Sequence, residues 1–317
     1  MYSLDPIYKT SFHRNGFAGP FDIISADEAK VALEEVGKEL AREGANRFKL
    51  HLVLPCIDQI AHHPNLIAAV KDALDSEDIW LWSSDINTKT EQSANFFSPH
   101  QDATYAGLSP SSQCVTAWVA LSDPVGENEG CLSFYPGSQK LGQLPHNIDE
   151  NDNNNMLSLG QYIDESIIQT LNSPIVIPLR GGQATLHSFD CVHASGPNNS
   201  PFPRVGLALR YMTCNVKQTK PNREMATFIC SSGRCQVSER GNHDGNDAIV
   251  QEKMMNTQNQ SQDLQLQCQC PERLVNFDIE PRLPLHPNEE DYERGRRVQK
   301  EAMEREDSNY FASSVEK

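Results

Sequence analysis

Basic charge is in short supply in this sequence. Against 43 aspartates and glutamates stand 27 lysines and arginines, a formal net charge of −16. Such a surface repels phosphate backbones, so nucleic acid is not an expected partner. Long apolar runs are also missing. No stretch reaches the roughly 18 consecutive apolar residues that a spanning helix needs, and no membrane association is expected. Residues 1–25 lack a basic start followed by an apolar core. The final Ser-Val-Glu-Lys is not the peroxisomal Ser-Lys-Leu address, so the expected location is cytoplasmic by default. Nine cysteines are an odd number, and the close pairs Cys230/Cys235 and Cys268/Cys270 miss the zinc-ribbon spacing. Reduced thiols are therefore expected, not a disulfide framework or a zinc site.

What is present describes a globular chain of 317 residues, with 38% hydrophobic residues and a mean hydropathy of −0.54. That length is compatible with one domain. The part before residue 79 reads as helical. Ser25 and Glu28 form a capping box, followed by Ala29, Leu33, Val36 and Leu40 on one helical face, with Gly44 as the stop. A second helix is expected from Pro64 through Ile67, Val70 and Leu74.

From Ile79 the period changes from helical to alternating. Ile79–Asn87, Val115–Leu121, Leu132–Tyr135, Ile175–Ile177, Ala184–His187 and Val205–Met212 read as short strands, most of them separated by turn residues. In the second of these, Val115, Ala117, Val119 and Leu121 share one face, and Thr116, Trp118 and Ala120 the other. The expected fold is mainly β with flanking helices, an antiparallel sandwich or jelly roll. Its core runs over about 79–230. The Asn-rich segment 147–155 is expected to be a mobile loop, and the Gln- and Asn-rich segment 241–269 a disordered insertion. The charged stretch 288–317 is expected to be a solvated helix.

Chemistry concentrates at two places. Ser98-Pro99-His100-Gln101-Asp102 contains a His-x-Asp pair, whose side chains share a face if the backbone is extended. With a second histidine from a distant strand they would make a two-histidine, one-carboxylate facial triad, the arrangement suited to non-haem Fe(II) oxygenases. The segment GGQATLHSFDCVHASGPNNSPFPRVGLALRYM (181–212) supplies that histidine, as His187 or His193, with spacing in favour of His193. Eleven residues after His193 comes Arg204, whose planar fork suits the far carboxylate of a 2-oxo acid.

These motifs, with VTAWVALSDPVGENEGCLSFYPGSQK (115–140), resemble those of the phytanoyl-CoA dioxygenase family over about residues 79–213. Gln139 departs from the family pattern, which has His after Pro-Gly-Ser. The resemblance implies a double-stranded β-helix, the cupin-like jelly roll, holding Fe(II) on His100, Asp102 and His193. It leaves His187 as a supporting residue. It further implies 2-oxoglutarate and O2 as co-substrates, with the 2-oxoglutarate carboxylate on Arg204. Ser195, Trp118 and Lys89 would stand nearby. Thr104 and Tyr105, directly after the ligands, are expected to face the substrate. Because Asp102 is a carboxylate where related halogenases have a small residue, the expected outcome is hydroxylation or another oxidation, not halogenation, with release of succinate and CO2. The net charge and the likeness of 100–108 to aminoalkylphosphonate hydroxylases favour a small, amine-bearing substrate. Two competing readings are a cupin-like metal enzyme that does not use 2-oxoglutarate, and a non-catalytic metal-binding sensor. Arg204 separates the first from the preferred reading, since such an enzyme has no need of that cation.

Overall fold

The computed structural model describes residues 6–219, 224–230, 235–239, 264–268, 277–279, 282–284 and 287–315. Two facing sheets form a jelly roll. The larger has seven strands in the order Phe17–Asp22, Gln183–Ser188, Cys114–Ala120, Arg204–Thr213, Ile79–Lys89, Glu224–Cys230 and Phe277–Ile279. All its neighbours are antiparallel except the last pair. The smaller sheet holds Phe97–His100, His193–Ser195, Leu132–Phe134 and Ile175–Val176. The six expected strands all occur, with ends moved by one or two residues.

Alternation along the large sheet decides which side chains become core and which become site. Val115, Ala117 and Val119 join Leu81, Leu207 and Leu209 in a buried cluster with Val36, Ile57, Leu66 and Val70 of the helices. Trp118, Ala120 and Ala208 turn the other way and pack with Leu132 and Phe134 of the small sheet. The helical layer therefore seals one face of the sheet, and the space between the sheets is left for a pocket.

The helices follow their sequence signals with small displacements. Ala26–Leu40 carries the Ser25–Glu28 capping box with both reciprocal bonds. It ends at Leu40 with Ala41 as its cap, ahead of Gly44, which lies in the following turn at φ +72°. Pro64–Leu74 has proline in its first turn. It buries Leu66, Ala69, Val70 and Ala73, a face rotated from the expected Ile67–Val70–Leu74 stripe because small residues allow closer approach to the sheet. The region before residue 79 is not purely helical. Phe17–Asp22 is an edge strand burying Phe17, Ala18 and Phe21, and Pro20 is tolerated there because an edge position needs no second ladder bond.

Three expectations for the polar segments also change. Asn147–Asn155 is anchored: Asn147–Ile148 pairs with Gln161–Tyr162, and Asn155 Nδ2 donates to Ser98 Oγ at 3.1 Å and to the Gln161 carbonyl. Within 241–269, Leu264–Cys268 is a strand paired with Cys235–Glu239, in keeping with its alternation of apolar and polar residues; the rest of that segment lies outside the described residues. The charged C-terminal helix, Glu289–Val315, is not simply solvated. Gln299 and Ala302 are buried, and Gln299 Nε2 donates to the carbonyls of Phe48, at 2.6 Å, and Asn46. Arg296 faces Glu39 of the Ala26–Leu40 helix at 3.5 Å. Cys56, Cys114, Cys131, Cys191 and Cys214 are free thiols, and among the described residues no helix is long and apolar enough to cross a membrane.

Candidate metal centre

His100 ends a strand of the small sheet, and His193 begins the strand beside it, so the two stand directly opposite in the antiparallel register. Asp102 arrives differently from the extended geometry expected of His-x-Asp. Its backbone is helical, φ −60° and ψ −31°, and it caps the short helix Ala103–Ala106. The chain turns at Gln101, whose buried amide is held by the carbonyls of Gly142 and Asp190 and by the Leu144 amide. The turn still brings Asp102 Oδ1 to 3.9 Å from Nε2 of both histidines. The three ligand atoms lie within 4.8 Å of one another, and all three residues are buried.

The protonation of this group suits a divalent ion. His100 Nδ1 faces the Ser98 carbonyl at 2.7 Å, and His193 Nδ1 faces that of Cys191 at 3.1 Å. Each carbonyl can only accept, so Nδ1 carries the hydrogen and Nε2 presents its lone pair inward. Burial pushes the His100 imidazole towards its neutral form and holds His193 well below the ordinary value, where His100 and His187 add to the effect. Burial alone would raise the Asp102 carboxyl. Its interaction with His187 and the neighbouring imidazoles outweigh that and keep it below the usual carboxylate range. Thr116 Oγ1 donates to Asp102 Oδ2, and the Tyr105 hydroxyl donates to Oδ1. Two neutral imidazoles and one carboxylate, with space on their open side, match the donor set of a non-haem iron site.

That open side is a cavity of about 330 Å³ between the two sheets. Its floor is built by alternate residues of the Arg204–Thr213 strand, Arg204, Ala208 and Arg210, beside Trp118 and Thr116 of the next strand. Arg204 is 1% exposed, and among the described residues it has no acidic partner. Its Nη2 donates to the Gly130 carbonyl at 3.0 Å and to Ser195 Oγ at 2.9 Å, while Nε has no partner among the described residues. Its guanidinium lies 5.0 Å over the Trp118 ring. Lys89 pairs in register with Arg204, and its ammonium donates to Ser195 Oγ and to the carbonyls of Ser195 and Gly196. Burial and the field of Arg204 push that ammonium down to about 6. Ser195, Trp118, Lys89 and Arg204 are thus brought together, the grouping that the family resemblance implied.

His187 stands behind the triad. It is buried, with Nε2 3.4 Å from Asp102 Oδ2 and its ring centroid 4.3 Å from that of His193. Tyr105 lines the cavity but also touches Asp102. Thr104 does not face the cavity, contrary to expectation: it is exposed and bonds to Gln143 and His146. The helical turn explains the difference, because Asp102 and Tyr105, three residues apart, share a face that Thr104 does not. Gln139 is remote, reaching the backbone of His13 and Arg14.

Sequence reasoning missed Arg210, Thr116, Asp85 and Met303. Arg210 forms an ion pair with Asp85 and donates to the Tyr105 hydroxyl. The two-residue period counted on from Arg204 would have found it, and the same period back from Trp118 would have found Thr116. Met303 lines the cavity from the C-terminal helix, with nothing in the local sequence to signal it.

A sequence profile of the family described as Phytanoyl-CoA dioxygenase (PhyH) matches residues 12–206. Phytanoyl-CoA dioxygenase domain-containing protein 1 of Mus musculus is 29% identical over 163 residues, which are 51% of this chain and 55% of that protein. The chain thus spans about half the length of that relative. An ectoine dioxygenase of Streptomyces avermitilis is 27% identical over 208 residues, covering 62% of this chain and 68% of that one. Among solved structures, the apo form of the non-heme monooxygenase ThoJ superposes with a TM-score of 0.71 at 23% identity, covering 98% of this chain and 100% of that one. The epimerase SnoN in complex with Fe3+, alpha ketoglutarate and nogalamycin RO superposes at 0.55 with 25% identity, over 68% and 87% of the two chains.

Proposed function

The chain belongs to the phytanoyl-CoA dioxygenase family, whose profile spans residues 12–206, and from that premise we propose that it is an Fe(II)- and 2-oxoglutarate-dependent dioxygenase that hydroxylates a small molecule. One observation carries the co-substrate: Arg204 is a buried cation with no acid beside it among the described residues, facing the cavity that the His-Asp-His group opens into. A buried charge without a counter-ion is costly, and an anionic ligand relieves that cost.

His100, Asp102 and His193 would hold the iron, which with 2-oxoglutarate and O2 would supply the oxidising power, with succinate and CO2 as co-products. Arg204 receives the distal carboxylate of 2-oxoglutarate. Ser195 Oγ already accepts from Arg204 and Lys89, so its own hydrogen is free to turn to the ligand. Trp118 fixes the plane of the guanidinium. Thr116 and Tyr105 hold Asp102 in orientation, with His187 packed behind it, leaving the apolar walls of the cavity to exclude water. With a carboxylate at Asp102 the group would leave no ligand place for a halide, which argues against halogenation and is consistent with hydroxylation. The unit that does this is one domain with its core at about 79–230, and its partner is a small molecule.

The test needs no substrate. Fe(II) and 2-oxoglutarate added without oxygen should produce a visible charge-transfer band, absent in His193→Ala. In Arg204→Ala the affinity for 2-oxoglutarate should fall by about 2–5 kcal/mol, at least about thirtyfold. An unchanged affinity in that variant would sink the assignment of Arg204 and favour a metal enzyme that uses no 2-oxo acid.

A further inference from the structure

The floor of the cavity is spoken for by the metal group and the Arg204 cluster, but its outer rim is not. The rim is formed by the partly exposed residues Phe48, Phe97, Met156, Leu157 and Met303, together with the more exposed Arg47. The first five are apolar, while the exposed Ser158 and the partly exposed Asn87 also line the cavity. The rim residues come from four separate parts of the chain, and two of these, 46–48 and the Glu289–Val315 helix, are locked together through Gln299.

The main chain at Arg47 is held in place. Its carbonyl accepts from the Ile86 amide at 3.0 Å, Phe48 forms a bridge to Asp85, and the Lys49 amide donates to the Ser84 carbonyl. Its guanidinium lies 4.9 Å over the Phe48 ring. The charges around the cavity leave Arg47 as the remainder. Asp85 is neutralised by Arg210. Asp102 belongs to the metal group, and Arg204 faces 2-oxoglutarate in the reading above. Arg47 has no acidic partner among the described residues, in a chain whose net charge is −16. An uncompensated cation, its guanidinium stacked on Phe48, at the rim of a largely apolar cavity is a receptor for an anion attached to an apolar body.

We propose that the primary substrate is a small carboxylate whose anionic end pairs with Arg47 at the rim. Its apolar body lies against Phe97, Met156, Leu157 and Met303, and the carbon to be oxidised points towards His100, Asp102 and His193. This rests on the proposed function and supplies the substrate class it leaves open. It also reverses the amine expected from sequence. The net charge of −16 acts at long range through screening salt, whereas a bound ligand feels the cation a few ångströms away. The C-terminal helix, outside the matched family segment, becomes part of the substrate site through Met303.

Three probes of one shape and different charge test the proposal: 2-naphthoate, 2-naphthamide and 2-naphthylmethylamine. Each is titrated calorimetrically into the full chain loaded with Fe(II) and 2-oxoglutarate without oxygen, and again without either addition. The native protein should bind the carboxylate about tenfold more tightly than the amide. Arg47→Gln should erase that preference, and Arg47→Glu should turn it towards the amine. Met303→Ala should weaken all three probes by a similar factor, because it removes apolar contact without touching charge. Melting midpoints matched to the native chain establish that each variant is folded. An amine that binds the native protein as well as the carboxylate does, a preference that survives Arg47→Gln, or no binding of any probe would each overturn the proposal. The charge preference is read from binding alone, so it is decided whether or not the Fe(II)–2-oxoglutarate band forms, and absence of that band would count against the proposed function separately.

Discussion

At the scale of single residues, the site depends on what lies beside each functional side chain. Trp118 can lie beneath Arg204 only because Gly206, on the adjoining strand, has no side chain; a β-carbon there would collide with the indole ring. Gly206→Ala should therefore displace Trp118 and cost about 1–3 kcal/mol of stability, as overpacked cores do. Affinity for 2-oxoglutarate should fall with it, measured by denaturant midpoint and by anaerobic titration; a variant with native values for both would refute the steric reading. Lys89 leads to a pH dependence. In the free site its ammonium is pushed down to about 6, so at pH 8 it is mostly neutral. A dicarboxylate close by favours the charged form and raises that value. Binding then takes up a proton, so affinity for 2-oxoglutarate should be level below about pH 6 and fall as pH rises above it. Lys89→Met should bind more weakly and lose the slope between pH 6 and 8.

At the scale of elements, the C-terminal helix is the part whose role its composition conceals. Its sequence is dense in charge and reads as a solvated face, yet Gly295 lies against the Leu52 carbonyl so closely that a β-carbon would strike it. In an exposed helix, Gly→Ala stabilises by up to about 1 kcal/mol through propensity. Here the sign should reverse, because the added methyl pushes the helix off the 50–52 turn. Gly295→Ala should lower the melting midpoint and shift Met303 away from the cavity, read as weaker binding of the naphthyl probes. A gain in stability would mean that the helix is not seated as described. The segment 147–162 shows the same principle on the other side of the cavity: its polar loop is tied down by Asn155, and the residues after it, Met156 and Leu157, reach the rim.

For the molecule as a whole, the metal site joins strands that are far apart in sequence, so loading it should stabilise the entire fold. At a hundredfold excess over the dissociation constant the gain is about 2.7 kcal/mol. For a chain of this size that raises the melting midpoint by several degrees. Fe(II), or a redox-silent divalent ion in its place, should produce the shift, a chelator should reverse it, and His193→Ala should not show it. A shift of equal size in that variant would place the ion elsewhere.

Local pattern was enough for the six strands expected between residues 79 and 212 and for the capping box of Ala26–Leu40, and it singled out the His-x-Asp pair and the arginine eleven residues after His193 as candidates, but not the strand Phe17–Asp22 or the two strands that carry His100 and His193. Each is a matter of period or spacing, and the two-residue alternation of 115–121 already separated core from cavity. Tertiary structure decided what spacing cannot reach. It turned Asp102 into a helical cap, so that Tyr105 and not Thr104 shares its face. It paired Arg210 with Asp85, left Arg204 buried without an acid among the described residues, and carried Met303 across the chain to the cavity rim. The physical reason is common to all of these: the partner that fixes each side chain comes from another element, and only folding brings the two within a few ångströms.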